Sequence, residues 1–576
     1  MENTRTITST INRTDRDALA ADVGEATQPV WAAPAPGPWQ QDSSHMPDPS
    51  TALIVELYPP AFNKGFEVTL APWGSLMDRL AMATVNGFTY HQPQPFDMPG
   101  PDGPKHEAWI HAEIGRRAGL AKDAFANEIW RDALRDWDEV RKPAAIAAHA
   151  AIGSVDLGPL DTTGLRHHVQ RCIDHAKAMV LQHHTFNAPA MIPVGDFALH
   201  ASAWTGETQV AVLGVLDGYS PVSGLVSPEA LGAITALRAD PEALAMLRDS
   251  THDAGLLAVL SERLPGVCAY AEQVAFRLID GFDIDRPTLR ECPEVLLGKL
   301  AAGVVTDEGA ARRRADAYAL SLAAKVPPEH RDEFDVLLGA ARSVYRLRDE
   351  RGVHSDVVAF GLLRTAVLEV GRRLVGLGRI DRIEDALEAG SAELLGLIDG
   401  AATPTAAELA HRSSSRLLLR VGGAPRYLGD PPPPMPPIDE LPPPIARVMR
   451  ALLFMVDGIL GEMADVTADG NMIVGIGGNS GVFEGTARLV TTVDDLFSIE
   501  PGEVLVVSAT GEAFNAFLHL VGAVVTDHGS FASHAAIMAR EIGFPAVVGT
   551  VNATKRIATG TRVRVDGSSG TVTMLS

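Results

Sequence analysis

Apolar and polar positions change their spacing along the chain and divide it into a helical part and a mixed part. From about Thr51 to Gly429, apolar residues recur every three or four positions, as in Asp332 to Arg351 and Asp356 to Gly376. This spacing puts an apolar face on each helix. Loops are predicted where proline and glycine cluster, at 189–206, 217–228 and 281–293. The pattern therefore predicts a large, mainly α-helical domain over residues 51–430.

From Met472 onward the pattern becomes an alternation typical of β-strands, with glycine-rich turns between them. An apolar strand at Val524–Thr526 runs into a loop of small residues, and a helix follows. Ser533 is a good N-cap for this helix, and Gly543 is a good stop signal. Residues 471–576 are therefore predicted to form a mixed α/β domain.

The segments outside these two domains are predicted to be linkers. Residues 1–50 are polar and rich in Thr, Asp, Ala and Pro, which predicts a flexible tail. The Pro-rich segment 431–444 predicts a stiff connection that extends about 3.1 Å per residue. A linking helix and a polar hinge are predicted within 445–470. The connection either serves a domain that moves between two places or is an ordinary interdomain linker.

Composition narrows the function classes. A chain of 576 residues predicts two to four domains. The net charge of -23 argues against a surface for nucleic acid or an anionic membrane, and no stretch is apolar for the length of a membrane span. The three cysteines are far apart and have neither metal-ligand nor disulfide spacing, so no protein metal site is predicted. We expect a protein of the reducing cytoplasm.

His534 is the candidate for covalent chemistry. It is predicted to lie in the first turn of its helix, where free backbone N–H groups and the helix dipole favour an anion. Imidazole is largely neutral near pH 7, so a free ring nitrogen can attack phosphorus, and the resulting phosphoramidate stays reactive. The alternative is a helix-start histidine that hydrogen-bonds to a neighbouring carbonyl.

The residues around His534 carry a family resemblance. The run from Thr526 to Gly549 closely resembles the phosphohistidine swivelling domain of the phosphoenolpyruvate synthase and pyruvate phosphate dikinase superfamily. The matching pattern is TDxGxxxSHAAIxARExGxPAVVG, where x is any residue. The likeness extends upstream through 481–488 and 501–506. It implies that His534 carries a phosphoryl group in a phosphate loop that includes Thr526, Gly529 and Ser533. The chain departs from the family at Ser530, where a second glycine is usual.

Two other domains of that superfamily have no counterpart in the pattern. We find neither an ATP-grasp domain nor a glycine-rich phosphate loop, and no barrel for phosphoenolpyruvate follows the swivelling domain. This layout resembles the two-subunit arylphosphate synthases. The resemblance implies a separate ATP-grasp-type subunit that binds ATP with Mg²⁺ or Mn²⁺. It also implies the reaction of ATP, a phenol and water to an aryl phosphate, AMP and phosphate.

The helical part is similar to the acceptor domain of the rifampin phosphotransferases, through segments 277–293 and 374–381 and Glu393–Leu394. Arg277 is an acceptor-side candidate because this resemblance covers it. Arg346 is a second one, since with Arg348 and Arg351 it could neutralise the phosphoryl charge. The alternative for these arginines is surface ion pairing.

Histidines and apolar residues supply further acceptor-side candidates. Five histidines cluster at 167, 168, 175, 183 and 184, and a phenol must lose its proton on phosphorylation. His183 and His184 are the candidates for this base, and the alternatives are a solvated or core histidine face and, less favoured, a zinc site. Five apolar residues either line a pocket for a ring or form plain core: Trp73, Met77, Met82, Phe88 and Tyr90.

The sequence therefore predicts a phosphotransferase subunit that passes a phosphoryl group from His534 to the hydroxyl of a small compound, a phenol first of all. Two alternatives stay open. The acceptor could be an antibiotic or another hydroxyl compound, or the chain could be a non-catalytic phosphocarrier. An enclosed apolar pocket with basic groups at its mouth would separate the enzyme from the carrier.

Overall fold

The computed structural model describes residues 29–575, except 44, 97–103, 224–225, 280, 431–436, 461–469, 492, 497, 512–513, 516 and 532. The described residues form a mainly helical body followed by a C-terminal α/β body, as the sequence predicts. Of the tail predicted at 1–50, residues 1–28 lie outside the described residues. Residues 431–436 of the Pro-rich segment and most of the predicted hinge lie outside them as well.

The helical body contains nineteen α-helices within the described residues. In chain order they are α1 (Ala52–Leu70), α2 (Pro104–Ala126), α3 (Ile129–Asp136), α4 (Lys142–Gly153), α5 (Thr162–Thr185), α6 (Asn187–Thr205), α7 (Gln209–Val212), α8 (Leu231–Ala239), α9 (Pro241–Asp249), α10 (Ala254–Arg263), α11 (Pro265–Val274), α12 (Pro293–Val305), α13 (Ala310–Ala323), α14 (Arg331–Tyr345), α15 (Leu347–Val353), α16 (Asp356–Gly376), α17 (Ser391–Ile398), α18 (Ala406–Gly422) and α19 (Pro443–Leu460). Helices α8 to α12 surround an apolar core of their own, separate from the main core.

A small sheet also belongs to this body, and it corrects the predicted tail. Its strands are β1 (Trp39–Gln41), β2 (Met77–Val85), β3 (Phe88–Pro95) and β4 (Tyr427–Leu428), in the order β2-β3-β1-β4. β1 pairs with both β3 and β4, and Trp39 is buried in the core of the sheet. The prediction of a flexible tail is therefore wrong for residues 29–50. Their polar composition hid a strand whose partners lie far away in sequence.

The segment 189–206 is another correction, because it is helical where a loop was predicted. Pro189 occupies the first turn of α6, where a backbone N–H has no partner within the helix. Pro193 lies inside the helix, and the residues from Asn187 to Ala198 are all buried. Tertiary burial of this apolar stretch thus outweighs the helix-breaking tendency of proline.

The predicted helix from Asp332 to Arg351 is two helices in the structure. α14 ends at Tyr345, α15 begins at Leu347, and Arg346 lies between them. The helix predicted at Asp356–Gly376 is confirmed as α16. The break at Arg346 matters for function because the short helix α15 lines the main cavity of the protein.

Helix α19 packs against α6 and belongs to the helical body. Arg447 of α19 donates two hydrogen bonds to the buried Asp196 of α6, with N···O distances of 2.8 and 2.6 Å. The backbones approach closely at Gly195, where an added Cβ would lie 2.4 Å from the carbonyl oxygen of Ala451. The predicted linking helix is therefore fixed to the larger body.

Substituting Gly195 by alanine is expected to destabilise the helical body by about 1–3 kcal/mol, since the new methyl group would push α6 and α19 apart. Gly339→Ala is the matched control. Gly339 also lies inside a helix, α14, but nothing lies within 4 Å of its added Cβ. The free energy of unfolding of this control should rise by about 0.5–1 kcal/mol, because alanine favours a helix more than glycine does. Denaturant unfolding of both variants measures the difference. A Gly195→Ala variant as stable as the unmodified chain would contradict this packing.

The C-terminal body is built on an eight-stranded sheet in the order β5-β12-β11-β7-β8-β9-β10-β6. Its elements are β5 (Met472–Val474), β6 (Ile476–Asn479), β7 (Val482–Val490), α20 (Val493–Leu496), β8 (Val504–Val507), β9 (Ala523–Thr526), α21 (His534–Ile542), β10 (Ala546–Val548), α22 (Ala553–Arg556), β11 (Arg562–Asp566) and β12 (Thr571–Met574). Strands β7 to β10 run parallel, and Val507 of β8 pairs with Thr526 of β9. The loops after β8 and β9 therefore leave the same edge of the sheet.

Among the helices of the described residues, none is long and apolar enough to cross a membrane.

Candidate active site

His534 is the first residue of α21 and follows the loop after β9. Ser533 is the N-cap residue with an extended backbone, as predicted. Its hydroxyl donates to the carbonyl of Ser530 at 2.7 Å and does not cap the helix. The first backbone N–H groups of α21 thus have no side-chain cap from Ser533. This is the end of a helix that attracts an anion.

Gly529 is required by the shape of this loop. Its φ is +114°, and an added Cβ would lie 2.8 Å from the hydroxyl oxygen of Ser533. Gly529 and Ser533 both line the main cavity, as the predicted phosphate loop requires. Thr526 is different, because it is fully buried and its hydroxyl donates to the carbonyl of His528 at 2.7 Å. Thr526 therefore braces the loop and does not line the cavity.

The ring of His534 is held from the neighbouring loop. Its Nδ1 lies 2.8 Å from the hydroxyl oxygen of Thr510, and its Nε2 is buried without a hydrogen-bond partner among the described residues. Burial lowers the pKa of His534 to about 4, and nearby Arg348 and Lys299 act in the same direction against Asp349. The ring is therefore neutral at physiological pH. In the tautomer whose Nδ1–H donates to Thr510, the lone pair lies on Nε2, where it can act as a nucleophile.

A cavity of about 780 Å³ separates His534 from the helical body. Its volume is that of a pocket for a small organic molecule. The helical body supplies an apolar part of the wall through aromatic and aliphatic side chains: Met46, Tyr58, Phe62, Phe66, Leu80, Met82, Met191 and Phe282. Of the apolar residues singled out from sequence, Met82 lines the cavity. Trp73, Met77, Phe88 and Tyr90 are buried core residues outside its lining.

Two arginines of α15 line the cavity. Arg351 is buried, its Nη1 donates to Asn187 at 2.6 Å, and its Nε has no partner among the described residues. Burial lowers the pKa of Arg351 to about 10, which still leaves it charged at neutral pH. Arg348 donates two hydrogen bonds to Asp349. An anion in the cavity would therefore meet a buried guanidinium with a free N–H donor.

His183 lines the same cavity and forms a buried pair with Asp356. The Nδ1 of His183 lies 2.7 Å from a carboxyl oxygen of Asp356. Burial lowers the pKa of His183 well below its usual value and raises the pKa of Asp356 well above it. The neutral ring makes no hydrogen bond through Nε2 within the described part of the chain. The tautomer with the proton on Nδ1 has its lone pair on Nε2, and this tautomer suits a general base.

A second carboxylate, Asp42, lies on the same cavity and contacts two histidines. Asp42 contacts Nε2 of His91 at 3.0 Å and Nδ1 of His45 at 3.3 Å. Burial disfavours the charged ring of His45, but Asp42 outweighs it and raises the pKa of His45 above its usual value. His45 is therefore a poorer proton acceptor at neutral pH than a histidine whose pKa is lowered. The pair of His183 and Asp356 is the better candidate for the base.

His183, His184 and Asp356 have possible metal-ligand atoms that all lie within 4.8 Å of one another. The two imidazole rings are stacked, with centroids 4.3 Å apart and planes at 11°. Lone pairs of imidazole nitrogens lie in the ring plane, so lone pairs of parallel rings do not converge on one ion. Asp356 already contacts Nδ1 of His183 directly. The cluster fits a hydrogen-bond network and does not fit a metal centre in this arrangement.

The structure places two predicted acceptor-side arginines away from the cavity. Arg277 is buried and pairs with Glu229 at 3.2 Å, and Arg346 pairs with Glu350 and Asp138. Neither lines the cavity. Both corrections have the same cause, since each guanidinium already has a carboxylate partner within the helical body. The alternative of ion pairing therefore holds for Arg346.

The histidine cluster of α5 also divides. His183 and His184 line the cavity, whereas His175 bonds to Nδ1 of His149 at 2.9 Å and His168 lines a separate cavity. His175 and His183 are separated by about two helical turns. His175 contacts His149 of α4 instead of the site.

Several site residues were missed by sequence reasoning. Thr510 had a usable signal, because the loop after β8 is small and polar and leaves the same sheet edge as the loop of His534. Asp356 and Tyr58 had none, since each reaches the site through packing of helices distant in sequence. Lys299 is a fourth, buried in α12 and close enough to lower the pKa of His534.

The two bodies are held together at the loop of His534. The hydroxyl of Ser530 donates to the carbonyl of Gly458 in α19, and the ring of Phe531 stacks on Phe454 at 5.1 Å. An added Cβ at Gly458 would lie 2.4 Å from the ring of Phe531. Ser530, where the family usually has glycine, is thus a docking contact in this chain.

A second docking contact involves the end of α21. Glu541 accepts a hydrogen bond from the backbone N–H of Gly218 at 2.6 Å, and Arg314 donates to the carbonyl of Glu541. Burial raises the pKa of Glu541 to about 7 and the pKa of Asp217 to about 6. Both carboxyls lie at the interface between the bodies.

Docking is expected to weaken as the pH rises. A carboxyl whose pKa is raised on docking stabilises the docked state fully below its ordinary pKa of 4.5, and this contribution disappears as the pH rises through about 7. Spin labels at the exposed Val482 and Val336, with the native cysteines replaced, would report the distance between the bodies. We expect a larger fraction of molecules to show the distance of the docked state at pH 5 than at pH 8. In Glu541→Gln the pH dependence should shrink, and an unchanged dependence would contradict this assignment.

These observations define a class of protein domain: a small α/β body that holds a histidine at a helix start, next to a cavity that a larger body also lines. Residues 499–570 match the family described as PEP-utilising enzyme, mobile domain. The chain therefore carries the mobile domain of PEP-utilising enzymes, and the predicted resemblance is confirmed for this domain.

Curated relatives match part of this chain. The chain is 39% identical over 151 residues to chondramide synthase cmdD of Chondromyces crocatus, covering 26% of this chain and 4% of that protein. It is 41% identical over 106 residues to the uncharacterized phosphotransferase YvkC of Bacillus subtilis, covering 18% and 13%. It is 41% identical over 103 residues to rifampicin phosphotransferase of Bacillus cereus, covering 18% and 12%. The matched segments thus span less than a sixth of each of these relatives.

Proposed function

We propose that this chain is a phosphotransferase subunit that passes a phosphoryl group from His534 to the hydroxyl of a small acceptor, a phenol first of all. One observation carries the proposal. Nε2 of His534 has no partner among the described residues, and its ring lines a cavity that is also lined by Arg351 and by His183, the partner of Asp356. The nucleophile, an anion-binding group and a base thus surround one space.

The transfer step follows from this arrangement. The acceptor oxygen attacks phosphorus while the bond from phosphorus to Nε2 of His534 breaks. The proton of the hydroxyl passes to Nε2 of His183, which then carries it out to solvent. Arg351 neutralises charge on the equatorial oxygens of the moving group, and this is the main source of catalysis expected for phosphoryl transfer.

The apolar wall supports an aromatic acceptor. Phe62, Phe66 and Phe282 line the cavity, and Phe514 lines it from the C-terminal body. Aromatic side chains bind a flat ring through offset or edge contacts. A phenol would place its ring against this wall and its hydroxyl near His183. The same lining would accept part of a larger antibiotic, so rifampicin belongs in the test.

The first half of the reaction rests on the resemblance to two-subunit arylphosphate synthases. A separate ATP-grasp-type subunit would bind ATP with Mg²⁺ or Mn²⁺. Attack of Nε2 of His534 on the β-phosphorus of ATP would break its bond to AMP and leave a pyrophosphoryl group on the ring. Attack of water on the γ-phosphorus would then release phosphate and leave the β-phosphoryl group on His534. The divalent ion would supply charge neutralisation on the nucleotide there. The named phosphotransferases among the curated relatives support a phosphoryl-transfer activity.

The test uses the chain copurified with an ATP-grasp-type subunit, with magnesium and ATP labelled in the β-phosphoryl group. We expect acid-labile label on this chain and then label in phenyl phosphate when phenol is added. His534→Asn should take up no label, whereas His175→Gln, outside the cavity, should behave like the unmodified chain. The readouts are acid-labile radioactivity on the separated chains and labelled product.

Each outcome separates the alternatives. Transfer to rifampicin but not to phenol would establish an antibiotic acceptor in place of a phenol. Label that stays on the chain with phenol, rifampicin and aliphatic alcohols alike would establish a phosphocarrier. Label on His534→Asn would overturn the proposal in all its forms.

A further inference from the structure

Four buried side chains form one hydrogen-bonded row in the wall of the cavity: Arg351, Asn187, His184 and Tyr58. Arg351 Nη1 donates to Asn187 Oδ1 at 2.6 Å. Asn187 Nδ2 lies 3.1 Å from Nδ1 of His184, and Nε2 of His184 lies 3.1 Å from the hydroxyl oxygen of Tyr58. All four residues are buried, so each bond in the row replaces a lost contact with water.

The direction of this row follows from the arginine at its start. A guanidinium donates hydrogen bonds and cannot accept them, so the oxygen of the Asn187 amide faces Arg351 and its NH₂ group faces His184. Nδ1 of His184 is then an acceptor. Burial, with His183 and Arg351 nearby, lowers the pKa of His184 well below its usual value. The neutral ring therefore carries its one proton on Nε2 and donates it to Tyr58.

Tyr58 must then direct its own hydrogen elsewhere. Burial raises the pKa of Tyr58 well above its usual value, and nearby Asp356 raises it further, so the hydroxyl keeps its proton. A carboxyl oxygen of Asp356 lies within 4.8 Å of a ring nitrogen of His184, the residue that contacts this hydroxyl. Its Oδ2 contacts His183, and its Oδ1 has no partner among the described residues. The free donor and the free acceptor are thus neighbours.

We propose that the row from Arg351 through Asn187 and His184 to Tyr58 has one fixed direction and ends with Tyr58 donating to Asp356. Tyr58 is then a positioning residue. By supplying a hydrogen bond it favours the carboxylate form of Asp356, which keeps the Nδ1 proton on His183 and the lone pair on its Nε2.

The consequence for catalysis rests on the proposed function, whereas the direction of the hydrogen bonds does not. Burial alone favours a protonated Asp356. A protonated Asp356 would donate to Nδ1 of His183 and force the ring proton onto Nε2, where it blocks the base. The row from Arg351 opposes this outcome. The same arginine thus serves the moving phosphoryl group and, through Asn187, His184, Tyr58 and Asp356, the base His183.

The direct test is the tautomer of each histidine. The whole chain, labelled with ¹⁵N-histidine, is studied by long-range ¹H–¹⁵N correlation, with signals assigned by His183→Gln and His184→Gln. We expect His184 to be protonated on Nε2 and His183 on Nδ1. In Tyr58→Phe the proton of His183 should move to Nε2, because Asp356 loses its donor. Tyr270→Phe is the matched control, since that buried hydroxyl has no partner among the described residues.

Two results would overturn the inference: His184 protonated on Nδ1 in the unmodified chain, or an unchanged tautomer of His183 in Tyr58→Phe. In the complex with its ATP-binding subunit, Tyr58→Phe should slow transfer to phenol about 10-fold or more and leave labelling of His534 unchanged. If the tautomers are as predicted but no acceptor receives the label, the row is supported and the proposed function is refuted. If phenol receives the label but the tautomers are reversed, the proposed function is supported and the row is refuted.

Discussion

Replacing Arg351 by methionine is expected to slow phosphoryl transfer from His534 to the acceptor by about 10²- to 10³-fold, the usual effect of removing one charge-stabilising group. Methionine keeps most of the side-chain volume but removes the buried positive charge and its free N–H. Phosphorylation of His534 should continue at the normal rate, because the ATP-binding subunit supplies that step. Single-turnover measurements of the two half-reactions would separate the effects.

Arg346→Met is the matched control for this prediction. The two arginines lie five positions apart, but Arg346 pairs with Asp138 and Glu350 and does not line the cavity. It should transfer within about twofold of the unmodified chain, with its cost limited to stability. Arg351→Lys should recover part of the lost rate, because it restores the charge without the planar donor set. Equal losses in Arg351→Met and Arg346→Met would contradict a direct role for Arg351.

Replacing His183 by glutamine is expected to slow transfer to phenol by about 10²-fold or more, as for the loss of a general base. The loss should depend on the acidity of the acceptor. A more acidic phenol such as 4-nitrophenol releases its proton more readily and needs the base less. The ratio of rates between the unmodified chain and His183→Gln should therefore fall from phenol to 4-nitrophenol, as measured by single-turnover transfer.

Two further variants make this prediction specific. His175→Gln, on the same helix but bonded to His149, should retain full transfer. His45→Gln tests the neighbouring pair with Asp42, and it should have a smaller effect than His183→Gln. A larger effect at His45, or a loss in His183→Gln that is equal for both phenols, would assign the base elsewhere.

The sequence predicted the C-terminal body well because its signals are local. Strand alternation, the cap at Ser533, the stop at Gly543 and the strand at 546–548 all lie within a short stretch around His534. It failed at α6 and at β1 because both depend on distant partners. The prolines of α6 are tolerated by burial against other helices, and β1 is defined by strands more than 45 residues away.

The same reasoning explains which site residues could be predicted. His534, Gly529 and Ser533 lie in one contiguous segment with recognisable spacing. His183 and His184 could be suspected as a pair, but which arginine accompanies them depends on the break at Arg346. The periodicity of the sequence ran through that break and gave no reason to prefer Arg351. Asp356, Tyr58 and Asn187 reach the site through helix packing alone.

In the proposed function, this chain holds both the phosphoryl donor, His534, and the acceptor site. The most direct test is a single-turnover chase with the phosphorylated chain, separated from its ATP-binding subunit and from nucleotide, and then mixed with phenol. We expect label to leave His534 and to appear in phenyl phosphate at a rate that Arg351→Met and His183→Gln reduce. Label that stays on His534 until the second subunit is returned would contradict this expectation and place the acceptor site outside this chain.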